Sequence, residues 1–87
     1  MGQINRSDYV RESNRRIAAS AERLRFDTAV PFLCECGDPK CKELVRLELS
    51  DYQPIRAEAA VFLTAPGHRV AGSGAPPLRQ EPAFWVH

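Results

Sequence analysis

Phe32-Leu33-Cys34-Glu35-Cys36-Gly37-Asp38-Pro39-Lys40-Cys41 is the stretch that decides how this chain folds. It gathers all three cysteines into eight residues around a Gly-Asp-Pro turn. The odd count does not suit a secreted disulfide framework, which normally uses an even number; clustered thiols in a reducing compartment read as metal ligands or redox groups. In an extended strand the side chains at i and i+2 share a face, so Cys34 and Cys36 point to one side. Glu35 then points to the other, as an exposed strand glutamate. The turn brings Cys41 back toward the first two.

A structural zinc site takes four thiolate or imidazole ligands in a tetrahedron, so three cysteines lack one. The chain has two histidines. His68 follows Pro66-Gly67, a tight turn that holds a ring in one place, whereas His87 is the last residue and is expected to fray. The expected metal ligands are therefore Cys34, Cys36, Cys41 and His68, with Zn²⁺ as the cofactor. Three thiolates leave the site net negative, and Lys40 and Lys42 flank Cys41 as partial compensation. Backbone amides of the turn 37–40 are expected to donate to sulfur. Two plainer alternatives are unpaired cysteines beside a surface histidine and a Cys-x-Cys redox pair. Free cysteines are usually scattered and buried, and a redox pair calls for an adjoining helix N-terminus, whereas here a strand precedes and a turn follows.

Working outward, Ala29 to Glu35 has strand character, with Pro31 near its start in a place that suits an edge. Glu43 to Leu49 alternates, with Val45, Leu47 and Leu49 on one face and Arg46 and Glu48 on the other, which predicts a hairpin about the cysteine turn. Ser50-Asp51-Tyr52-Gln53 matches a capping box and predicts a short helix to about Ala60. Val61-Phe62-Leu63 reads as helix end or strand. Ala71 to Pro77 reads as a flexible linker, and Ala83 to Val86 as a returning strand. At the other end, Ser7 to Arg25 lacks Gly and Pro. Val10, Ile17, Ala21 and Leu24 recur there at helical spacing, with Asn14 inside the stripe and Ser7 as N-cap.

The expected fold class is α+β: a small zinc-stapled β-hairpin domain with an N-terminal amphipathic helix and a second short helix. Its parts are the N-terminal helix over 1–27, a zinc-binding α+β module over 28–70, and a linker with a terminal strand over 71–87. At 87 residues, one core of modest size is available. The expected core is Phe32, Leu33, Leu44, Val45, Leu47, Leu49, Ile55, Val61, Phe62 and Leu63, closed by Tyr52, Phe84 and Trp85. Little apolar surface is thus set against the ordering entropy, and metal binding would supply folding energy.

The cysteine stretch, the Leu-Ser-Asp-Tyr helix start and Phe62-Leu63-Thr64-Ala65-Pro66-Gly67-His68 together resemble a group of short uncharacterised bacterial proteins. That group shares a Cys-Glu-Cys-x4-Cys stretch and a downstream Pro-Gly-His, preceded by an Arg- and Glu-rich helix. The resemblance covers about residues 8 to 68 and implies that His68 joins the three cysteines; it implies no activity. After His68 the resembling proteins continue with a charged segment, where this chain has Gly, Ala and Pro.

A site closed by three cysteines and a histidine has no open position for water, so no enzyme is expected. The chain also lacks a Gly-rich phosphate loop, a Gly-x-Ser-x-Gly elbow and paired histidines at helical spacing. The function expected is a protein-interaction or adapter module. Its N-terminal helix would dock on a protein partner or on its own copy, with Arg11, Arg15 and Ile17 as contact residues and Asn14 setting register. The plainer alternative is that the helix covers its own sheet. A second function is a nucleic-acid-binding transcription regulator, since residues 1–26 carry six arginines against three acids. Against it, Glu12 and Arg16 read as a surface pair, residues 27–87 carry eight acids against six basic groups, and the helix has few aromatics to stack on bases. No segment reads as membrane-spanning, and the polar start of the chain has no apolar core for a translocon, so a cytoplasmic protein is expected.

Overall fold

A computed structural model of the chain describes residues 6–25, 27–58, 61–72 and 74–87. Helix α1 (Arg6–Arg23) is followed by strands β1 (Val30–Leu33) and β2 (Leu44–Leu47), helix α2 (Leu49–Ala57), and strands β3 (Leu63–Thr64), β4 (Arg79–Gln80) and β5 (Trp85–Val86). The fold is α+β, as the sequence leads one to expect. β1 and β2 form an antiparallel hairpin with Phe32 opposite Val45, and the last three strands form a second antiparallel sheet in the order β3-β5-β4.

The hairpin turns one face inward. Val30, Phe32, Val45 and Leu47 are buried, while Pro31, Leu33, Leu44 and Arg46 face out. Leu33 (38 % exposed) and Leu44 (47 %) therefore leave the expected core, because period-2 alternation assigns them to the outer face. Val30, Ala65 and Val86 take places in the core that the sequence reading did not give them. Phe32 stacks on Tyr52 of α2 with ring centroids 4.1 Å apart and planes 8° from parallel, closing the core from the helix side. Phe84 is buried and Trp85 half-buried, so the C-terminal residues complete the core.

Cys34 N–H donates to the Glu43 carbonyl (3.3 Å), which continues the ladder beyond β1 and fixes its phase. Backbone groups of Val30, Phe32 and Cys34 face β2, while those of Pro31, Leu33 and Glu35 face the other way. Each outward position is closed differently. Pro31 has no N–H to leave unpaired. Leu33 is gripped by the Asn14 side chain of α1, whose Nδ2 donates to the Leu33 carbonyl and whose Oδ1 accepts from its N–H, both at 2.8 Å. Glu35 N–H donates to the Leu63 carbonyl at 2.7 Å. A helix side chain thus stands in for a missing strand.

This placement corrects the expectation for Asn14: its amide, completely buried, caps a sheet edge of its own chain. The buried stripe of α1 is Ser7, Val10, Asn14, Ala18 and Ala21, with Ile17 half-buried and Leu24, past the helix end, 70 % exposed. Ser7 lies inside α1 and not at an N-cap. It is buried against Gly37, where an added Cβ would stand 2.5 Å from Ser7 Oγ and where φ is +85°. The capping box at Ser50 does not form either. α2 starts two residues earlier, with Glu48 at the N-cap and no side-chain cap bond; its carbonyl accepts from the amides of Asp51 and Tyr52. The helix closes at Ala57, and the expected extension to Ala60 falls partly outside the described residues. Arg23 and Gln53 are in the exposed flank of the helix pair, where Gln53 donates to Glu22.

Candidate metal centre

Two ligands come from the run-out of β1 and two from proline turns. Cys34 and Cys36 flank Glu35 on the extended chain, as the i, i+2 spacing requires. Asp38-Pro39-Lys40-Cys41 is a turn closed by Cys41 N–H on the Asp38 carbonyl (3.0 Å), and the Asp38 side chain accepts from Lys40 N–H at 2.9 Å. Ala65-Pro66-Gly67-His68 is a second turn, closed by His68 N–H on the Ala65 carbonyl (3.1 Å), with Gly67 at φ +83°. That positive φ after proline is what a type II turn demands, and glycine meets it without steric cost. In both turns the ligand is the fourth residue, delivered after a proline whose fixed φ limits the alternatives.

The ligand atoms of Cys34, Cys36, Cys41 and His68 lie within 4.8 Å of one another, so the four can hold a metal ion. His68 presents Nδ1, at 3.5 Å from Cys34 Sγ and 3.6 Å from Cys41 Sγ. Zinc–sulfur bonds of about 2.3 Å and zinc–nitrogen bonds of about 2.0 to 2.1 Å, set at a tetrahedral angle, give a sulfur-to-nitrogen edge of about 3.6 Å. The donor set and the spacing are therefore both compatible with zinc. Among the described residues no other group of three or more such ligands is found.

Burial shapes the chemistry of the thiols. Removal from water pushes the Cys34 thiol up to about 12, opposed by the amides of Ala65 and Cys36 and reinforced by the nearby Cys36. Ala65 N–H donates to Cys34 Sγ at 3.3 Å. Burial raises Cys41 as well, opposed by the Glu43 amide. The sulfur-directed amides thus belong to Ala65, Cys36 and Glu43, where the turn 37–40 was expected to supply them. Without a cation these thiols hold their protons; a bound cation reverses that preference. Arg6 and Lys42 line a small cleft beside Cys34 and Cys41, so cationic side chains do approach the site.

Glu35 overturns the expectation of an exposed strand glutamate. It is completely buried, and every partner donates to it: Asn14 Nδ2 and Arg56 Nη2 to Oε2, both at 2.6 Å, and Leu63 N–H to Oε1 at 2.9 Å. Burial raises its pKa, while Arg56, Asn14 and the Leu63 amide oppose the rise. Arg56 is itself fixed, donating through Nε to Tyr52 Oη at 2.9 Å. The carboxylate therefore joins α1, α2, β1 and β3 at a point between two ligand cysteines. A signal existed in the sequence: Asn14 and Glu35 are the polar residues in two otherwise apolar patterns, and two such residues satisfy each other when buried.

The loop carrying His68 is held from behind. Buried Thr64 donates to the His68 carbonyl (3.3 Å), and its oxygen lies 2.9 Å from His87 Nε2. His87, expected to fray, is instead paired with Phe62 through both backbone bonds, at 2.8 and 2.9 Å. Burial lowers its pKa, which the His68 carbonyl opposes. Ala71 N–H donates to the Cys36 carbonyl at 2.7 Å, tying the chain after His68 to the ligand strand.

The residues expected to meet a partner do not form one patch. Arg11 is half-buried, paired with Asp8 at 3.0 Å and lying over the Phe62 ring at 4.5 Å. Arg15 lines a groove of about 300 Å³ between α1 and α2, while Ile17 lines a separate apolar cleft with Ala21, Leu24, Val30 and Pro31. Among the described residues, no helix is long and apolar enough to cross a membrane. No family model, no curated protein and no solved structure matches the chain.

Proposed function

We propose that this protein is a small structural-zinc module that acts as a protein-interaction or adapter domain without enzymatic activity. One observation carries the reading: four ligands of closed-site type, three thiols and an imidazole, converge within 4.8 Å from elements that the centre itself ties together. Such a set leaves no coordination position for substrate or water. Glu35, the carboxylate best placed to serve as a base, already accepts from Asn14, Arg56 and Leu63 and has no exposed surface. What the fold offers to solvent is apolar surface, with Tyr9, Leu24, Leu33, Leu44 and Leu78 all exposed. The nucleic-acid alternative gains little from the geometry, because Arg11 and Arg15 are drawn to Asp8 and Glu12 along α1.

The test has two arms. Protein purified without chelator should carry close to one zinc per chain by elemental analysis, and Cys34→Ser or Cys41→Ser should lose it; freshly reduced protein without stoichiometric metal would remove the staple. Affinity capture from host lysate, with and without nuclease, tests the module. A specific protein partner that survives nuclease supports it, and partners lost to nuclease would favour the regulator.

A further inference from the structure

We infer that the outer edge of β2 is a self-pairing surface, on which a second copy of this chain docks antiparallel, strand β2 to strand β2. Resting on the interaction-module reading, this names the partner and the register. The ladder phase gives the starting point. Because Cys34 pairs with Glu43, the backbone groups of Val45 and Leu47 face β1, and those of Leu44 and Arg46 face away from it. On β1 the equivalent outward positions are closed by Pro31, by the Asn14 amide at Leu33 and by Leu63 at Glu35. On β2 nothing closes them: among the described residues, no group bonds the N–H or C=O of Leu44 or Arg46. An open strand edge is a template for another strand, and this one carries no proline or bulge to blunt it.

Charge selects the occupant and the register. Only residues whose backbone groups face outward can pair, so a two-fold axis must pass through one residue of β2. Centred on Val45, it sets Leu44 of each copy opposite Arg46 of the other, and Lys42 opposite Glu48, closing about four backbone hydrogen bonds. Lys42 and Glu48 are exposed and have no ion pair among the described residues, and the Glu48 side chain makes no cap bond. The half-exposed Leu44 side chain would lie under the aliphatic stem of Arg46 of the other copy. Centring on Leu44 opposes Lys42 to Arg46, which repels. Centring on Arg46 opposes Leu44 to Glu48 and leaves Lys42 without a carboxylate. Centring on Leu47 sets Arg46 opposite Glu48 but calls on the Glu48 carbonyl, which already accepts from Asp51 and Tyr52, so the Val45 register is the one that matches both the charges and the free backbone groups.

Sedimentation velocity of the zinc-loaded full chain, from micromolar concentration to about 1 mM, should show a reversible monomer–dimer equilibrium. Lys42→Glu and Glu48→Lys should each weaken it about tenfold or more, because each turns two attractive cross-strand pairs into repulsive ones. The double swap K42E/E48K should restore it. Amide hydrogen exchange of the unmutated chain supplies a variant-free readout: Leu44 and Arg46 should gain protection with concentration, while Val45 is protected throughout. A chain that stays monomeric to that concentration, a double swap that does not recover, or Leu44 and Arg46 amides indifferent to concentration would overturn the inference. Zinc content measured on the same samples separates this failure from a failure of the staple.

Discussion

Asn14→Ala isolates the bond network that fastens the helix to the ligand strand. The amide makes three hydrogen bonds at 2.6 to 2.8 Å, two with the Leu33 backbone and one with the Glu35 carboxylate. Its loss orphans the partly buried N–H and C=O of Leu33 and removes one donor from a carboxylate with no access to water. Each such buried group left unsatisfied costs about 1 to 3 kcal/mol, so the change should cost about 3 to 5 kcal/mol. Against a total stability of about 5 to 15 kcal/mol, with a short chain near the lower end, that is a large share. Asn14→Asp discriminates further. It keeps the shape and the acceptor for Leu33 N–H, yet sets a second carboxylate against Glu35, so it should cost at least as much as alanine. One of the two facing carboxyls would then take up a proton in the fold before it does in the unfolded chain. A raised folded pKa of this kind adds stability as pH falls, so the aspartate variant should recover relative to the alanine variant toward about pH 5. Urea unfolding of zinc-loaded protein, followed by circular dichroism, measures all three. At pH 7, an alanine variant within about 1 kcal/mol of the unmutated protein, or an aspartate variant more stable than alanine, would refute the network as the helix anchor.

Chelation under reducing conditions should unfold the domain, since metal binding on the order of 10 kcal/mol is folding energy in chains this short; an unchanged spectrum and melting temperature would mean that the core stands alone. His68→Ala should weaken metal retention in a chromogenic competition assay while His87→Ala leaves it intact, and the reverse order would reassign the fourth ligand. Metal affinity should fall as pH falls, because burial raises Cys34 to about 12 and raises Cys41, so the thiols must release protons to bind. The drop approaches about two orders of magnitude per pH unit if the Cys34 and Cys41 protons are both displaced, and a pH-independent affinity would show thiolates already present without metal. Gly37→Ala should destabilise by about 1 to 2 kcal/mol or more from its positive φ alone, with Ser7→Gly recovering the part due to the clash with Ser7 Oγ; thermal melts of the single and double variants measure both.

The cysteine spacing and the Pro-Gly-His turn were enough to name the four residues that converge, because each ligand's placement is a local matter. Strand parity puts Cys34 and Cys36 on one side, and a proline turn of four residues sets each of the other two. The hairpin, the inward face of Val45 and Leu47 and the returning C-terminal strand were legible for the same reason: period and turn chemistry act over a few residues. Helix starts were read less well, since Ser7 and Ser50 carry cap chemistry but lie inside α1 and α2, where packing outweighs one capping bond. What only the tertiary structure decided is where the polar residues of the patterns go. Parity sends Glu35 away from the cysteines but does not say whether that side is water or protein. Its burial depends on an amide 21 residues earlier, a guanidinium 21 residues later and a backbone N–H 28 residues later. A fully buried carboxylate is tolerable only when such donors surround it together, and that condition is a property of the assembled fold, which no short stretch of sequence contains.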